Sequence, residues 1–197
     1  MKKAYIFPGI GYSCDRSLLY FSGRLASECG YEIRKIAYTG FEQGIKGDKE
    51  KMERAFKLAL SQTEETLRDE RFEDADELLF ISKSIGTVVA AAFERSHGLS
   101  GRNIYFTPLA ETFDFAQRGS GIAFHGTSDP WADTGIIKAA CSELDIPLYI
   151  TENANHSLET GNAVDNIANL QSVMRTINDY INYDIEKEVY SFLGGLL

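Results

Sequence analysis

The stretch FISKSIGTVVAAAF, Phe80 to Phe93, passes from an apolar strand pattern into a helix through a turn of only a few residues. Its first part extends the β-type run ELLFI over 77–81, and its second is apolar on nearly every side (Val88, Val89, Ala90, Ala91, Ala92, Phe93). That composition predicts a buried helix from Ile85 to about His97. The turn between them, Ser82-Lys83-Ser84-Ile85-Gly86, has the form S-x-S-x-G. Small residues are needed two before and two after the middle serine, because so sharp a strand-to-helix turn crowds both positions. Ser82 stands where glycine is more usual, and is small enough to be tolerated. The turn presents the Ser84 hydroxyl at the end of a strand, where a helix N-terminus favours developing negative charge.

Working outward, short apolar or aromatic runs alternate with longer segments of helical period, the pattern of a parallel α/β sheet covered by helices. Candidate strands lie at 3–8 (KAYIFP), 31–37 (YEIRKIA), 77–81 (ELLFI), 103–108 (NIYFTP), 121–126 (GIAFHG) and 146–151 (IPLYIT). A helix is expected over 49–71, capped by Asp48, with Met52, Ala55, Phe56, Ala59, Leu60 and Leu67 inward. Another runs from about Glu159 to Tyr183 with Val164, Ile167, Leu170, Met174, Ile177 and Ile181 inward, followed by a further helical stretch over 184–197. No repeat, low-complexity tract or linker interrupts the chain, so residues 1–197 read as one domain.

A chain of 197 residues with 44% hydrophobic content is expected to bury roughly 70% of its unfolded surface in one core. The opening MKKAYIFPGIGY begins like a signal peptide, but Pro8, Gly9 and Gly11 interrupt its apolar run. A soluble, cytoplasmic protein is expected. The formal net charge of −9 weighs against nucleic acid or an anionic membrane as partner, since binding phosphates takes concentrated Lys and Arg. Cys14, Cys29 and Cys141 are widely spaced and form no CxxC pair, which argues against a disulfide framework or structural zinc.

A serine hydroxyl becomes a nucleophile only when a neighbouring base takes its proton, and a histidine in that role needs a carboxylate to fix its tautomer. Only three histidines are present. His97, at the far end of the buried helix, lies roughly 18–20 Å from Ser84 by helical rise. His125 falls inside the fifth strand and reads as a core residue. His156, in TENANHSLET, follows the last strand and shares the strand C-terminal ends with Ser84. For the acid, FHGTSDPWADTG after the fifth strand offers Asp129, where the loop leaves the sheet, and Asp133, one turn further on, which reads as a helix cap. Asp129 is the candidate, and Ser128-Asp129-Pro130 is also a turn signal.

The elbow, the chain order Ser84, Asp129, His156 and the placement of each after successive strands resemble the α/β-hydrolase family, over residues 3 to about 182. HGTSDPWA and NANHSLE are similar to the small, capless bacterial hydrolases of the dienelactone-hydrolase and esterase type. The resemblance implies a doubly wound, mostly parallel six-stranded sheet of order 2-1-3-4-5-6, the first strand here corresponding to the family's third. It also implies two backbone N–H donors for an oxyanion: Ile85, after the nucleophile, and Ile10, with Gly11 as the alternative, in Pro8-Gly9-Ile10-Gly11. Pro8 replaces a histidine common in the family. Read as a phosphate-binding turn, the same GIGYSCD has Cys14 where the third glycine of G-x-G-x-x-G would be.

The family's lid usually enters after the strand following the elbow helix; here that connection is only Leu109 to Ser120, too short for a cap domain. Tyr12, Phe41, Phe113, Phe115 and Trp131 fall in loops at the expected mouth. Lys83 has two readings, attraction of an anionic substrate or a solvated surface lysine. The expected activity is hydrolysis of a small-molecule carboxylic ester or thioester through an acyl-enzyme, with no metal or cofactor. The alternatives are an acyltransferase or thioesterase using the same three residues, or a binding protein that kept the fold without the chemistry.

Overall fold

The computed structural model describes residues 1–45 and 47–194, the side chains of 184–194 excepted. Its strands are β1 (Lys2–Phe7), β2 (Tyr31–Lys35), β3 (Glu77–Lys83), β4 (Arg102–Phe106), β5 (Gly121–Gly126) and β6 (Leu148–Thr151). Its helices are α1 (Ser17–Glu28), α2 (Lys49–Thr66), α3 (Ile85–Ser96), α4 (Thr134–Glu143) and α5 (Ala163–Gly194). The strands form one sheet of order β2-β1-β3-β4-β5-β6, every neighbouring pair parallel.

Strand alternation sends successive side chains to opposite faces. Ala4, Ile6, Leu79, Ile81, Ile104 and Phe106 pack under α1 and α5 with Leu18, Leu19 and Ile177. Tyr5, Phe7 and Phe80 face the other way, onto Ala59 of α2 and Val89 and Phe93 of α3. Tyr105 and Ala123 meet Ile137 and Cys141 of α4 on that same side. The strands at the centre of the sheet are thus buried on both faces, as their uninterrupted apolar sequences require.

The connection leaving β1 goes to the α1 face, and the one leaving β3 to the α3 face. Because β1 and β3 are neighbours, their C-terminal ends open a crevice between diverging connections, where open α/β sheets place their ligands.

Asp48 caps α2 as its sequence suggests, its carboxylate accepting from the Lys51 N–H at 3.0 Å, but α2 stops at Thr66, short of the expected 71. The inward face of α5 is Leu170, Val173, Met174, Ile177 and Ile181. The expected Val164 and Ile167 are instead 74% and 69% exposed. The helix begins before it reaches the α1 layer, so periodicity alone assigned its first turns to a core that does not extend that far. The further helical stretch expected over 184–197 is the continuation of α5 as far as Gly194; residues 195–197 lie outside the described residues. No helix among the described residues is long and apolar enough to cross a membrane.

Candidate active site

Ser84 joins β3 to α3 with φ 56° and ψ −126°. A side chain at positive φ is strained, and such strain persists only where the surroundings hold it. Here the Ser84 N–H donates to the Phe106 carbonyl at 3.0 Å, and the Thr87 hydroxyl donates to the Ser84 carbonyl at 2.6 Å. Gly86 explains the small residue two positions on: a Cβ there would lie 2.5 Å from the carbonyl oxygens of both Phe7 and Pro8. The elbow therefore presses directly against the chain leaving β1. Ser82, two positions before, is fully buried, its hydroxyl donating to the Ile104 carbonyl at 3.3 Å.

Past Pro8 the chain makes a tight turn closed by Gly9 N–H to Tyr12 O at 3.1 Å and Tyr12 N–H to Gly9 O at 3.2 Å. Gly11 occupies the third position with φ 70°, which fits a type II turn. The turn's own hydrogen bonds leave the Ile10 and Gly11 N–H groups unused. A Cβ on Gly9 would sit 3.2 Å from the Ser84 Cβ, so this turn borders the serine. Ile85 begins α3, and its N–H belongs to the first turn, which has no intrahelical acceptor.

The other half of the site hangs on a second close approach. A Cβ on Gly126, the last residue of β5, would meet the Ala154 carbonyl oxygen at 2.3 Å. That contact lets the loop after β5 pack on the loop after β6, joined by Ser128 N–H to Ala154 O at 2.9 Å. Asn155 stiffens the second loop: its side-chain oxygen accepts from Ser157 N at 2.7 Å and Glu159 N at 3.2 Å. Leu158 anchors the loop in the core.

The structure thereby brings Ser84, Asp129 and His156 together. His156 Nε2 lies 2.8 Å from Ser84 Oγ, and His156 Nδ1 lies 2.7 Å from Asp129 Oδ2. The Asp129 side chain is fully buried, and its Oδ1 accepts from the Trp131 N–H at 2.9 Å. Burial pushes this carboxyl up, but the hydrogen bond and charge of His156, the Trp131 N–H and nearby His125 together hold it below the usual carboxylate range. Asp133 caps α4 through the Ile136 N–H at 3.0 Å, and His97 stacks on Phe93.

Two side chains sit differently from the expectation, and a third has an unexpected neighbour. Tyr12 is not at the mouth: it is buried in the α1-side core, its hydroxyl accepting from the Leu18 N–H at 3.1 Å at the start of α1. Lys83 is not solvated: it is 2% exposed, because alternation along β3 places it with Leu79 and Ile81 toward α1. Its Nζ donates to Thr107 Oγ1 at 3.2 Å and lies 4.9 Å from the Tyr12 ring centroid. Burial pulls the amine down to about 7, against the opposing charges of Asp129 and Glu159. His125 is a core residue as expected, but it borders the acid, with Nδ1 3.9 Å from Asp129 Oδ2 and Nε2 3.0 Å from Thr134 Oγ1.

Trp131 stacks on the His156 ring at 5.6 Å and lines a cavity of about 590 Å³. The floor of that cavity is Ile45, Met52, Phe56, Ile85, Val88, Leu109 and Phe115. Phe41 packs against Tyr38 and behind the Ile45, Ile85 and Val88 cluster, and Phe113 against the α4 cluster; neither lines the cavity. Met52 and Phe56 carried a signal in the sequence, as an i, i+4 apolar pair near the start of a helix, but nothing there tied them to Ser84. A larger groove of about 860 Å³ lies between β6 and α5, away from Ser84.

No protein-family model and no curated protein matches the chain. Solved structures do. An α/β serine hydrolase homologue from Coxiella burnetii is 15% identical with a TM-score of 0.63, covering 89% of this chain and 84% of its own. An α/β serine hydrolase without lid from Xanthomonas campestris is 17% identical with a TM-score of 0.60, covering 88% and 81%. Est1E from Butyrivibrio proteoclasticus, with ferulic acid bound, is 10% identical with a TM-score of 0.69, covering 94% and 90%. Between β4 and β5 this chain has only a short 3₁₀ turn, Ala110–Asp114, where a lid would stand. With its parallel sheet, its strand order and these neighbours, the chain has the α/β-hydrolase fold in its capless form.

Proposed function

We propose that the protein is a serine hydrolase that cleaves a small carboxylic ester or thioester through an acyl-enzyme. The observation that carries this reading is the unbroken chain of contacts Ser84 Oγ, His156 Nε2, His156 Nδ1, Asp129 Oδ2, at 2.8 and 2.7 Å, ending on a strained elbow serine.

In the first half-reaction Ser84 Oγ attacks the substrate carbonyl carbon while His156 Nε2 takes its proton. Asp129 accepts from Nδ1–H, which fixes the tautomer and stabilises the imidazolium. The carbonyl oxygen becomes an oxyanion facing the N–H groups of Ile85 and Ile10; Ile10 is preferred to Gly11 because it directly follows Gly9, which borders Ser84. Collapse expels the alcohol or thiol, which takes the proton from His156 and leaves the acyl group on Ser84. Water then attacks that ester with His156 as base, releasing the acid and restoring Ser84. The short turn at Ala110–Asp114 leaves Ser84 partly exposed, so the acyl-enzyme is open to water.

The apolar cavity beside Ile85 and Trp131 suits the acyl group. Its volume, about 590 Å³, falls in the range of small-molecule sites. A similarly folded protein holds ferulic acid, an aryl acid, and a medium-chain or aromatic acyl group is the corresponding substrate class here. The test is hydrolysis of p-nitrophenyl esters and acyl thioesters of graded chain length. Turnover that rises from acetyl to a medium chain and disappears in His156→Ala supports the reading; equal turnover by wild type and His156→Ala contradicts it.

A further inference from the structure

Lys83 directly precedes the serine, yet the chemistry above does not use it. Its side chain leaves the elbow on the face opposite the acyl cavity. A Cβ on Gly9 would lie 3.5 Å from Lys83 Cδ, so the lysine stem runs beneath the Gly9–Tyr12 turn. Its Nζ reaches the face of Tyr12 at 4.9 Å and the hydroxyl of Thr107 at 3.2 Å. Thr107 is itself buried and held at φ 42°, with its N–H donating to the Phe124 carbonyl at 2.7 Å. One side chain therefore ties together three strand ends: the turn after β1, the elbow after β3 and the chain leaving β4.

We infer that Lys83 is a positioning residue whose ammonium, seated on the Tyr12 ring and bonded to Thr107, holds the Gly9–Tyr12 turn and its Ile10 N–H against the Ser84 elbow. The inference rests on the serine-hydrolase reading. A cation attracts the face of an aromatic ring through the ring's quadrupole, and the attraction strengthens where water is excluded. A neutral amine loses most of that attraction, so the turn is held best while Lys83 carries its proton.

The charged groups around the amine are Asp129 after β5, Glu159 before α5, and Arg16, which lies over the same Tyr12 ring at 5.4 Å. His156 stands beyond Ser84. Asp129 and Glu159 favour the ammonium, but burial outweighs them and brings the amine down to about 7. The folded state therefore favours the neutral amine relative to an unfolded lysine, which titrates near 10.4. Its contribution to stability is full above the unfolded value and is lost as pH falls toward about 7. Holding the ammonium at neutral pH thus lowers stability while serving the reaction, a common conflict at functional sites.

The experiment is the rate at which a small fluorophosphonate labels Ser84, followed by intact mass from pH 5 to 9.5, in wild type, Lys83→Met, Tyr12→Leu and Tyr12→Phe. Wild type should lose reactivity on the alkaline side as Lys83 deprotonates. Lys83→Met should label about tenfold slower or worse, without that alkaline loss, and melt at a higher temperature than wild type at pH 6.5. Tyr12→Leu should also lose the alkaline limb. Tyr12→Phe, which keeps the ring but not the hydroxyl at the start of α1, should keep the limb and melt lower.

Lys83→Met labelling at the wild-type rate overturns the inference. So does slow labelling that keeps the wild-type pH profile with a lower melting temperature, the mark of a merely structural lysine. Failure of wild type to label at any pH would instead remove the serine-hydrolase reading on which the inference stands.

Discussion

Ser84 divides two unlike environments. Toward α2 and α3 lies open apolar space walled by Ile85, Val88, Met52, Phe56 and Trp131. Toward α1 the space is filled and polar, with Lys83, Thr107 and Tyr12 packed around one amine. The open side has room for a small-molecule group. The filled side has no such room, and burying its polar groups carries a cost that their mutual contacts offset only in part. On the proposed reading the site is asymmetric, with selection on one side of the serine and alignment on the other.

The largest test of this division removes the chemistry common to both sides. Ser84→Ala is expected to lower kcat on the order of 10⁶-fold, with folding unchanged by circular dichroism. Asp129→Asn should cost about 10⁴-fold, because His156 would then lose the acceptor that fixes its tautomer. A change on the open side should act on selection alone: Val88→Phe is expected to lower kcat/KM for medium-chain esters by roughly 10–200-fold while leaving acetyl esters nearly untouched. A comparable loss for acetyl esters would show that the cavity does not hold the acyl group. The smallest expected change is structural. Gly126→Ala forces a Cβ onto the Ala154 carbonyl and should cost about 1–3 kcal/mol in urea unfolding, with the Asp129 and His156 loops displaced together.

Much of the fold was legible because the central strands β1, β3, β4 and β5 are buried on both faces and so read as short uninterrupted apolar runs. β5 begins and ends where GIAFHG does. The candidate triad was legible for a different reason: with three histidines, helical rise and strand position separate His156 from the other two. What escaped was burial at the rim of the sheet. Val164 and Ile167 follow the helical period of α5 yet lie beyond the layer it covers. Tyr12 sits in a loop by sequence but turns back into the core to meet α1.

Lys83 could have been placed by alternation, since it follows Leu79 and Ile81 on the same face of β3, but a lysine next to a turn reads as solvated until its neighbours are known. His125 was read as core, and only the path of the next loop puts Asp129 beside it. The cavity wall came least of all from the sequence. Ile45, Met52 and Phe56 are remote from every motif and come beside Ile85 and Trp131 only because α2 packs beside α3.

The most direct measurement is intact-protein mass spectrometry after a fluorophosphonate, with peptide mapping, on wild type, Ser84→Ala and His156→Ala. A single adduct on Ser84 of the wild type, absent from both variants, is the expected result. A folded wild type that takes no adduct, or an adduct that persists in Ser84→Ala, would contradict an activated serine at this elbow.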